Sequence, residues 1–411
     1  MKVTVNGTRI YLLEMENTKS KSVAVIGAGI TGIMAAYYIA KKGYNVTVFE
    51  SEHYSAMKTS FANGGQISVS NSETWNTWSN VKKGIKWMFK KDAPLLIRPS
   101  FEYKKIVWLI KFLYHTFRNS YVRNTKKSIE YGLKSRKLYE EIRKEEKIKY
   151  DYSPCGILHF YKNDNYVKDA WSAKDLYASA NAINEWNVVD STTIDILEPA
   201  LENTKGVLGG VWTPNDYTGD IHKFCIEMQK ILTKKYKVQF KFDTTIDNID
   251  QLSDFDTIIV SNGVGSTKIA SSIGDSISVY PVKGYSITIN LDEESQKFAP
   301  HVSLLDDEAK IVTARLGNRF RVAGTAELDG EDYDIRKDRI EPLLNWVHTN
   351  FPQINTHDYT SWACLRPMTP NMMPIVKQSA KNPKVYYHTG HGHLGWTYAP
   401  ATAKLLSELI A

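Results

Sequence analysis

Apolar residues first fall into order at Val23-Ala24-Val25-Ile26, a short run of the kind buried in a parallel sheet. A glycine-rich turn occupies 27–32. Residues 33–40 then read as a helix that Gly43 stops, and 46–50 read as a second strand. Residues 22–50 therefore predict strand, turn, helix and strand within the length of one βαβ unit. Ahead of them, 1–20 alternate around Asn6-Gly7, a hairpin turn signal, and predict either a small hairpin or a tail. Further strand-like runs fall at 156–160, 207–213, 257–260, 286–289 and 319–322, and the chain closes on a helix over 399–410. Between the first unit and these strands, 81–150 is helical in pattern, with Ile106, Leu109, Ile110, Leu113 and Phe117 on one face. Strands and helices alternate without an internal repeat, which predicts an α/β chain, α+β in part.

Composition narrows the class. Of 411 residues, 42% are hydrophobic and 24% charged, which excludes long disorder and fibrous architecture, and the length predicts two or three domains. Cys155, Cys225 and Cys364 are far apart with no C-x-x-C pair, so neither a zinc site nor a disulfide framework is expected, and a reducing, cytoplasmic setting fits. No apolar N-terminal h-region predicts a secretory signal, and Lys residues break every apolar run before it could span a bilayer.

The net charge of +7 is unevenly placed. Residues 81–118 hold ten Lys or Arg against two acids, a local +8, interleaved with Trp87, Met88, Phe89, Trp108 and Phe112. A basic, aromatic, amphipathic stretch fits an anionic membrane surface. The competing expectation is a helical face packed on the rest of the protein with its lysines in water. Nucleic acid is disfavoured, because no recognition motif accompanies the charge.

The turn Gly27-Ala28-Gly29-Ile30-Thr31-Gly32 is a complete G-x-G-x-x-G. Gly27 allows the tight turn, Gly29 lets backbone approach a pyrophosphate, and Gly32 lets helix and strand pack closely. The anion would sit on free N–H groups at the positive end of the helix. Glu50, followed by Ser51, ends the second strand, where a carboxylate accepts from the two ribose hydroxyls and repels a 2′-phosphate. The preceding strand, following helix and distant acid make this a dinucleotide site, with FAD and NAD left open by the motif itself.

Residues 59–68, Thr59-Ser60-Phe61-Ala62-Asn63-Gly64-Gly65-Gln66-Ile67-Ser68, resemble the flavin-contacting stretch of bacterial D-amino acid dehydrogenases of the small-subunit type. The resemblance continues in order through 84–89, 93–95, 198–201, 214–220, Tyr280-Pro281-Val282-Lys283-Gly284-Tyr285-Ser286, Leu365-Arg366-Pro367-Met368-Thr369-Pro370 and Gly390-His391-Gly392-His393-Leu394-Gly395-Trp396-Thr397. Only 1–20 fall outside it, while Gly65, 71–79 and Met372-Met373 depart from the family's pattern. The wider group is that of D-amino acid, glycine and sarcosine oxidases.

That resemblance implies FAD and a Rossmann-like FAD-binding domain joined to a second, mixed-sheet substrate domain. The expected boundaries are an extension at 1–20, a discontinuous FAD-binding domain at 21–95, 196–272 and 358–411, and a substrate domain at 96–195 and 273–357. Asn63, Gly64 and Gln66 are implied along the isoalloxazine, with Ser60, Phe61 and Ile67 in the same contacting stretch. Gly390, Gly392, His393, Leu394, Gly395, Trp396 and Thr397 are implied at its pyrimidine edge. Asn262-Gly263 resembles the strand end beneath the dinucleotide, with an ordinary turn as the alternative. In the family, an arginine at the place of Arg366 forks onto the substrate carboxylate, a task suited to a planar guanidinium. Tyr285 is implied near the substrate, a core or surface role being equally open. His391 and His393 form an H-x-H pair without a third metal ligand, so no metal is expected; one of them, taken as His391, would face flavin or substrate. With no cysteine in 390–397, the FAD is expected to be noncovalent.

The expected reaction is oxidative deamination of D-amino acids to 2-oxo acids and ammonia, by hydride transfer from Cα to flavin N5. Electrons would pass to a quinone-type acceptor from a cytoplasmic enzyme, in peripheral contact with the inner membrane if 81–118 engages lipid. The alternative is an amine oxidase of the glycine, sarcosine or (hydroxy)proline type that uses oxygen or another acceptor.

Overall fold

The first unit folds as its pattern requires. The computed structural model describes residues 2–5, 8–11, 21–87, 94–98, 101–202 and 204–410. Ser22–Ile26 and Asn45–Phe49 lie parallel in one sheet, joined by the helix Ile30–Lys41. Strand order across that sheet is Gln239–Lys241, Asn45–Phe49, Ser22–Ile26, Thr257–Val260, Val385–Thr389 and Ile375–Gln378. All neighbours are parallel except the last pair. Successive side chains of Ser22–Ile26 take opposite faces, as strand geometry demands. Val23 and Val25 pack under Ile30–Lys41, Ile221–Lys234 and Gly395–Leu409. Ala24 and Ile26 join Ile258, Ile269 and Val385 on the other side.

The second large sheet is mixed. Its order is Tyr359–Met368, Tyr280–Asn290, Arg319–Leu328, Ile311–Leu316, Ser303–Asp306, Ile157–Tyr161, Gly209–Thr213 and Asn187–Asp190, and Leu95–Ile97 also pairs with Arg319–Leu328. One core joins Ile287, Ile289, Phe320 and Val322 of this sheet to Ile340, Leu343 and Val347 of the helix Lys337–Asn350. A 26-residue helix, Tyr121–Glu146, runs beside Gly395–Leu409 and buries the small residues Ser128, Gly132 and Ser135 in its flank.

The α/β class with two kinds of sheet agrees with the sequence reading, and the differences have physical causes. The first helix begins at Ile30 rather than 33, because Gly32 is part of its first turn and not of a break before it. The strand expected at 286–289 runs from Tyr280 to Asn290. Pro281 faces Pro367 across the antiparallel pair, so neither is asked for the N–H that proline lacks. In the N-terminal extension, Lys2–Val5 and Thr8–Tyr11 pair antiparallel with Val5 opposite Thr8, while the Asn6-Gly7 turn lies outside the described residues. Among the described residues no helix is long and apolar enough to cross a membrane.

Candidate functional site

The glycine turn is built by steric exclusion. Gly27 has φ +97°, and a Cβ there would lie 2.9 Å from the Ser261 carbonyl oxygen. A Cβ on Gly32 would lie 1.8 Å from the Gly27 carbonyl oxygen. The turn therefore closes on the helix it starts and on the end of Thr257–Val260, with Asn262 and Gly263 beside it. Gly29 caps the helix, whose first-turn N–H groups have no intrahelical partner. Ser60 Oγ takes the N–H of Ile30 at 3.1 Å, and Thr31 Oγ1 reaches the Ser261 carbonyl at 3.3 Å. Glu50 is buried at the mouth of the turn. Its Oε2 accepts from the Ala28 N–H at 2.6 Å, and its Oε1 accepts from the Ser51 hydroxyl at 3.1 Å.

From the tip of this helix a cavity of about 570 Å³ leads toward the second sheet. Ile30, Ser60, Asn63, Gly64 and Gln66 line it, as do Gly392 to Thr397, Tyr285 and Arg366. Gly64 has Val312 against it, 2.6 Å from where a Cβ would stand. Gln66 Nε2 is anchored on Ser303 Oγ at 2.8 Å, and Thr397 Oγ1 accepts from the Ser68 N–H at 3.2 Å. Phe61 and Ile67 belong to the same stretch but point elsewhere. Phe61 packs on Trp362 and His222, and Ile67 is wholly buried in the first sheet's core.

Arg366 reaches the cavity through strand register. It sits opposite Val282 on the neighbouring strand, so Gly284 is its diagonal neighbour on the same face. A Cβ on Gly284 would lie 2.2 Å from Arg366 Nη2. The guanidinium fills the place of that missing side chain. Its Nη1 donates to the Thr325 carbonyl at 2.9 Å. Thr325 lies where the pairing of Tyr280–Asn290 with Arg319–Leu328 shifts register, and its φ of +58° is rare for a β-branched residue. No carboxylate pairs with Arg366 among the described residues. Burial pulls its pKa below the usual arginine value, while nearby Cys364 acts in the opposite sense.

Two expected side chains are turned to other tasks. The Tyr285 hydroxyl donates to Glu327 at 2.8 Å, and its pKa is raised by burial and by that carboxylate. Glu327, fully buried, also holds Arg336 at 2.6 Å and Arg98 at 3.3 Å. Tyr285 thus presents its ring to the cavity and its hydroxyl to an ion cluster. His391 does not line the cavity: its Nε2 meets Thr402 Oγ1 at 3.0 Å and its ring abuts His388. Gly392, with φ +58°, reverses the chain, so His393 is the histidine that faces inward. It stacks on Trp75 with centroids 4.9 Å apart, and burial, then Arg366, lower its pKa to about 3. Among the described residues no cluster of three His, Cys, Asp or Glu could hold a metal ion.

Sequence reasoning did not find several wall residues. Trp75, Leu95, Ile97, Trp108, Leu109 and Phe112 make one side of the cavity apolar. Trp75 lies in the 71–79 stretch that departs from the family's pattern, and the others lie within the basic 81–118 stretch, where nothing local marks them as cavity wall. Arg321, buried beneath Asn63, donates to its carbonyl at 3.4 Å, and burial lowers its pKa to about 10. Its only signal was a charged residue at an inward position of a strand.

Comparison with known proteins places this geometry. A family model described as FAD dependent oxidoreductase matches residues 22–409. D-amino acid dehydrogenase 3 of Mesorhizobium japonicum is 45% identical, the match covering 95% of this chain and 97% of that protein. A D-amino acid dehydrogenase of Dechloromonas aromatica is 35% identical, over 95% of this chain and 96% of its own. Among solved structures, glycine oxidase from Bacillus cereus superposes with a TM-score of 0.70 at 16% identity, over 95% of both chains, a likeness of fold.

Proposed function

The chain belongs to the family of FAD-dependent oxidoreductases, and from that premise we propose that it deaminates D-amino acids oxidatively to 2-oxo acids and ammonia. The observation that carries this reading is Arg366: a guanidinium without an acidic partner among the described residues, facing a cavity that begins at the glycine turn. A buried cation without an anion is costly, and a substrate carboxylate would supply the missing charge through two parallel hydrogen bonds. The D configuration and the dehydrogenase class follow the two relatives.

The residues present fit FAD. The first-turn N–H groups after Gly27-Ala28-Gly29 would hold its pyrophosphate, and Glu50 its ribose. The cavity between 60–66 and 392–397 would take the ring system, and His393, which lines it, has a buried Nε2 without a partner. Bound in this place without a covalent link, FAD supplies the acceptor for the hydride that leaves Cα.

The chain's own residues do the positioning. Arg366 grips the carboxylate, and Gly284 and Thr325 fix the guanidinium. His393 is neutral at physiological pH, so it adds no second charge beside Arg366 for a carboxylate to meet. The apolar wall of Trp108, Leu109 and Phe112 keeps water from the site. We assign 21–95, 196–272 and 358–411 to the cofactor domain and 96–195 and 273–357 to the substrate domain, with the strands Gly209–Thr213 and Tyr359–Met368 crossing from the cofactor segments into the second sheet. The acceptor assigned is a quinone-type carrier, which puts the enzyme on the cytoplasmic face of the inner membrane.

An anaerobic absorbance titration of the holoenzyme with D-alanine, L-alanine, glycine and D-proline tests the reading. Bleaching of the flavin by D-alanine and not by L-alanine is expected. Bleaching by L-alanine or glycine alone, or by none of the four, would overturn it.

A further inference from the structure

The helix Tyr103–Phe117 has two apolar faces, and only one of them is used inside the protein. Lys105, Trp108 and Thr116 are buried, and Trp108, Leu109 and Phe112 line the cavity. At 100° per residue these positions share one side of the helix. The opposite side carries Tyr103, Ile106, Ile110, Tyr114 and Phe117, exposed by 41% to 78%, and Phe101 just before the helix is fully exposed. Lys104, Lys111 and Arg118 follow one another along the edge of that stripe, and all three are exposed. The neighbouring helix Trp78–Trp87 adds exposed Trp78 and Ile85, with Lys82 and Lys86.

The two sides meet at the mouth of the cavity. Ile85 and Leu113 line the cavity and are still 55% and 43% exposed. They mark an opening between the two helices, and that opening lies within the exposed apolar patch.

We infer that the outer face of Tyr103–Phe117, with the end of Trp78–Trp87, docks on an anionic phospholipid bilayer, so that the mouth between Ile85 and Leu113 opens into the acyl region. Charge complementarity selects the occupant. An apolar stripe edged by lysines and arginine matches the acyl boundary and the anionic headgroups together, whereas a protein partner would not require the positive edge. An apolar electron acceptor dissolved in the bilayer then passes between the helices along Trp108 and Phe112 without entering water. This entry route rests on the function proposed above; the docking surface does not.

Flotation of the holoenzyme with vesicles tests the docking. Phosphatidylcholine vesicles with about one quarter phosphatidylglycerol should carry the protein up the gradient, with binding about tenfold weaker to phosphatidylcholine alone. Ile110→Asp with Phe117→Asp should cost about tenfold or more in vesicle binding. Lys104→Glu with Arg118→Glu should do the same for anionic vesicles only. None of these four side chains lines the cavity, so D-alanine oxidation with a soluble dye should be unchanged and reports folding. Oxidation with a quinone dissolved in the vesicles should fall with the binding. Unaltered flotation of the aspartate variant overturns the docking, as does a wild-type dimer that this variant dissociates. Lost flotation with full vesicle-quinone turnover overturns the entry route alone. A wild type that floats but oxidises no D-amino acid leaves the docking standing and removes the proposed function instead.

Discussion

Gly284 decides whether Arg366 can occupy its position. With a Cβ only 2.2 Å from Nη2, Gly284→Ala would force the guanidinium out while leaving the strands paired. Loss of about 2–3 kcal/mol of charge-assisted hydrogen bonding would lower kcat/KM for D-amino acids roughly 30- to 150-fold. Flavin content should be unchanged, and steady-state kinetics beside the visible spectrum check both. The histidines give a second expectation at this scale. Burial lowers the pKa of His388 and of His393 to about 3, and that of His391 well below its usual value. All three are neutral in the folded protein at pH 5, whereas the unfolded chain binds protons below about 6.5. Since the unfolded state binds more protons there, stability falls as pH falls through this window, by about 1.4 kcal/mol per pH unit for each histidine. Denaturant midpoints should drop between pH 7 and pH 5; equal midpoints would contradict the burial of this cluster. Of the two histidines in the H-x-H pair, the spacing could not say which faces inward. A single left-handed glycine between them decides it.

The glycine turn was legible because its parts are close in sequence. Turn, helix and second strand lie within 22–50, and their spacing alone implies their packing. Gly32→Ala should therefore abolish the dinucleotide site, since its Cβ would stand 1.8 Å from backbone that cannot yield. Purified protein should lose its FAD on gel filtration; a variant that stays yellow would refute the steric argument. Elements defined by long-range pairing were not legible in the same way. Nothing local to Arg366 tells that Val282 faces it, or that Gly284 leaves it room. Nor does the sequence near Tyr285 reveal Glu327, which draws its hydroxyl away from the cavity. The helix Tyr103–Phe117 shows the limit of periodicity. Its sequence contains two apolar stripes, and the one read first, through Ile106, Leu109, Ile110, Leu113 and Phe117, is exposed except at Leu109, which turns into the cavity. Choosing between stripes needs the surface against which the helix packs, and 15 residues do not contain it.

At the scale of the molecule, three separated segments close the first, mostly parallel sheet, and the cavity lies where that sheet's first helix faces the second sheet. Strand Val385–Thr389 leads directly into the loop that lines the cavity, and Thr257–Val260 ends against the glycine turn. The glycine turn and Arg366 are thereby brought to one cavity, though more than 300 residues separate Gly27 from Arg366. The central claim is that Arg366, a guanidinium without an acidic partner among the described residues, meets the acid end of an amino acid. Rapid anaerobic mixing of wild type and Arg366→Ala with D-alanine and with D-alaninamide, which lacks the carboxylate, tests it most directly. Wild type should reduce its flavin with D-alanine about 100-fold more efficiently than with the amide, and Arg366→Ala should lose that preference while keeping its FAD. An undiminished preference in the variant would show that Arg366 does not bind the carboxylate.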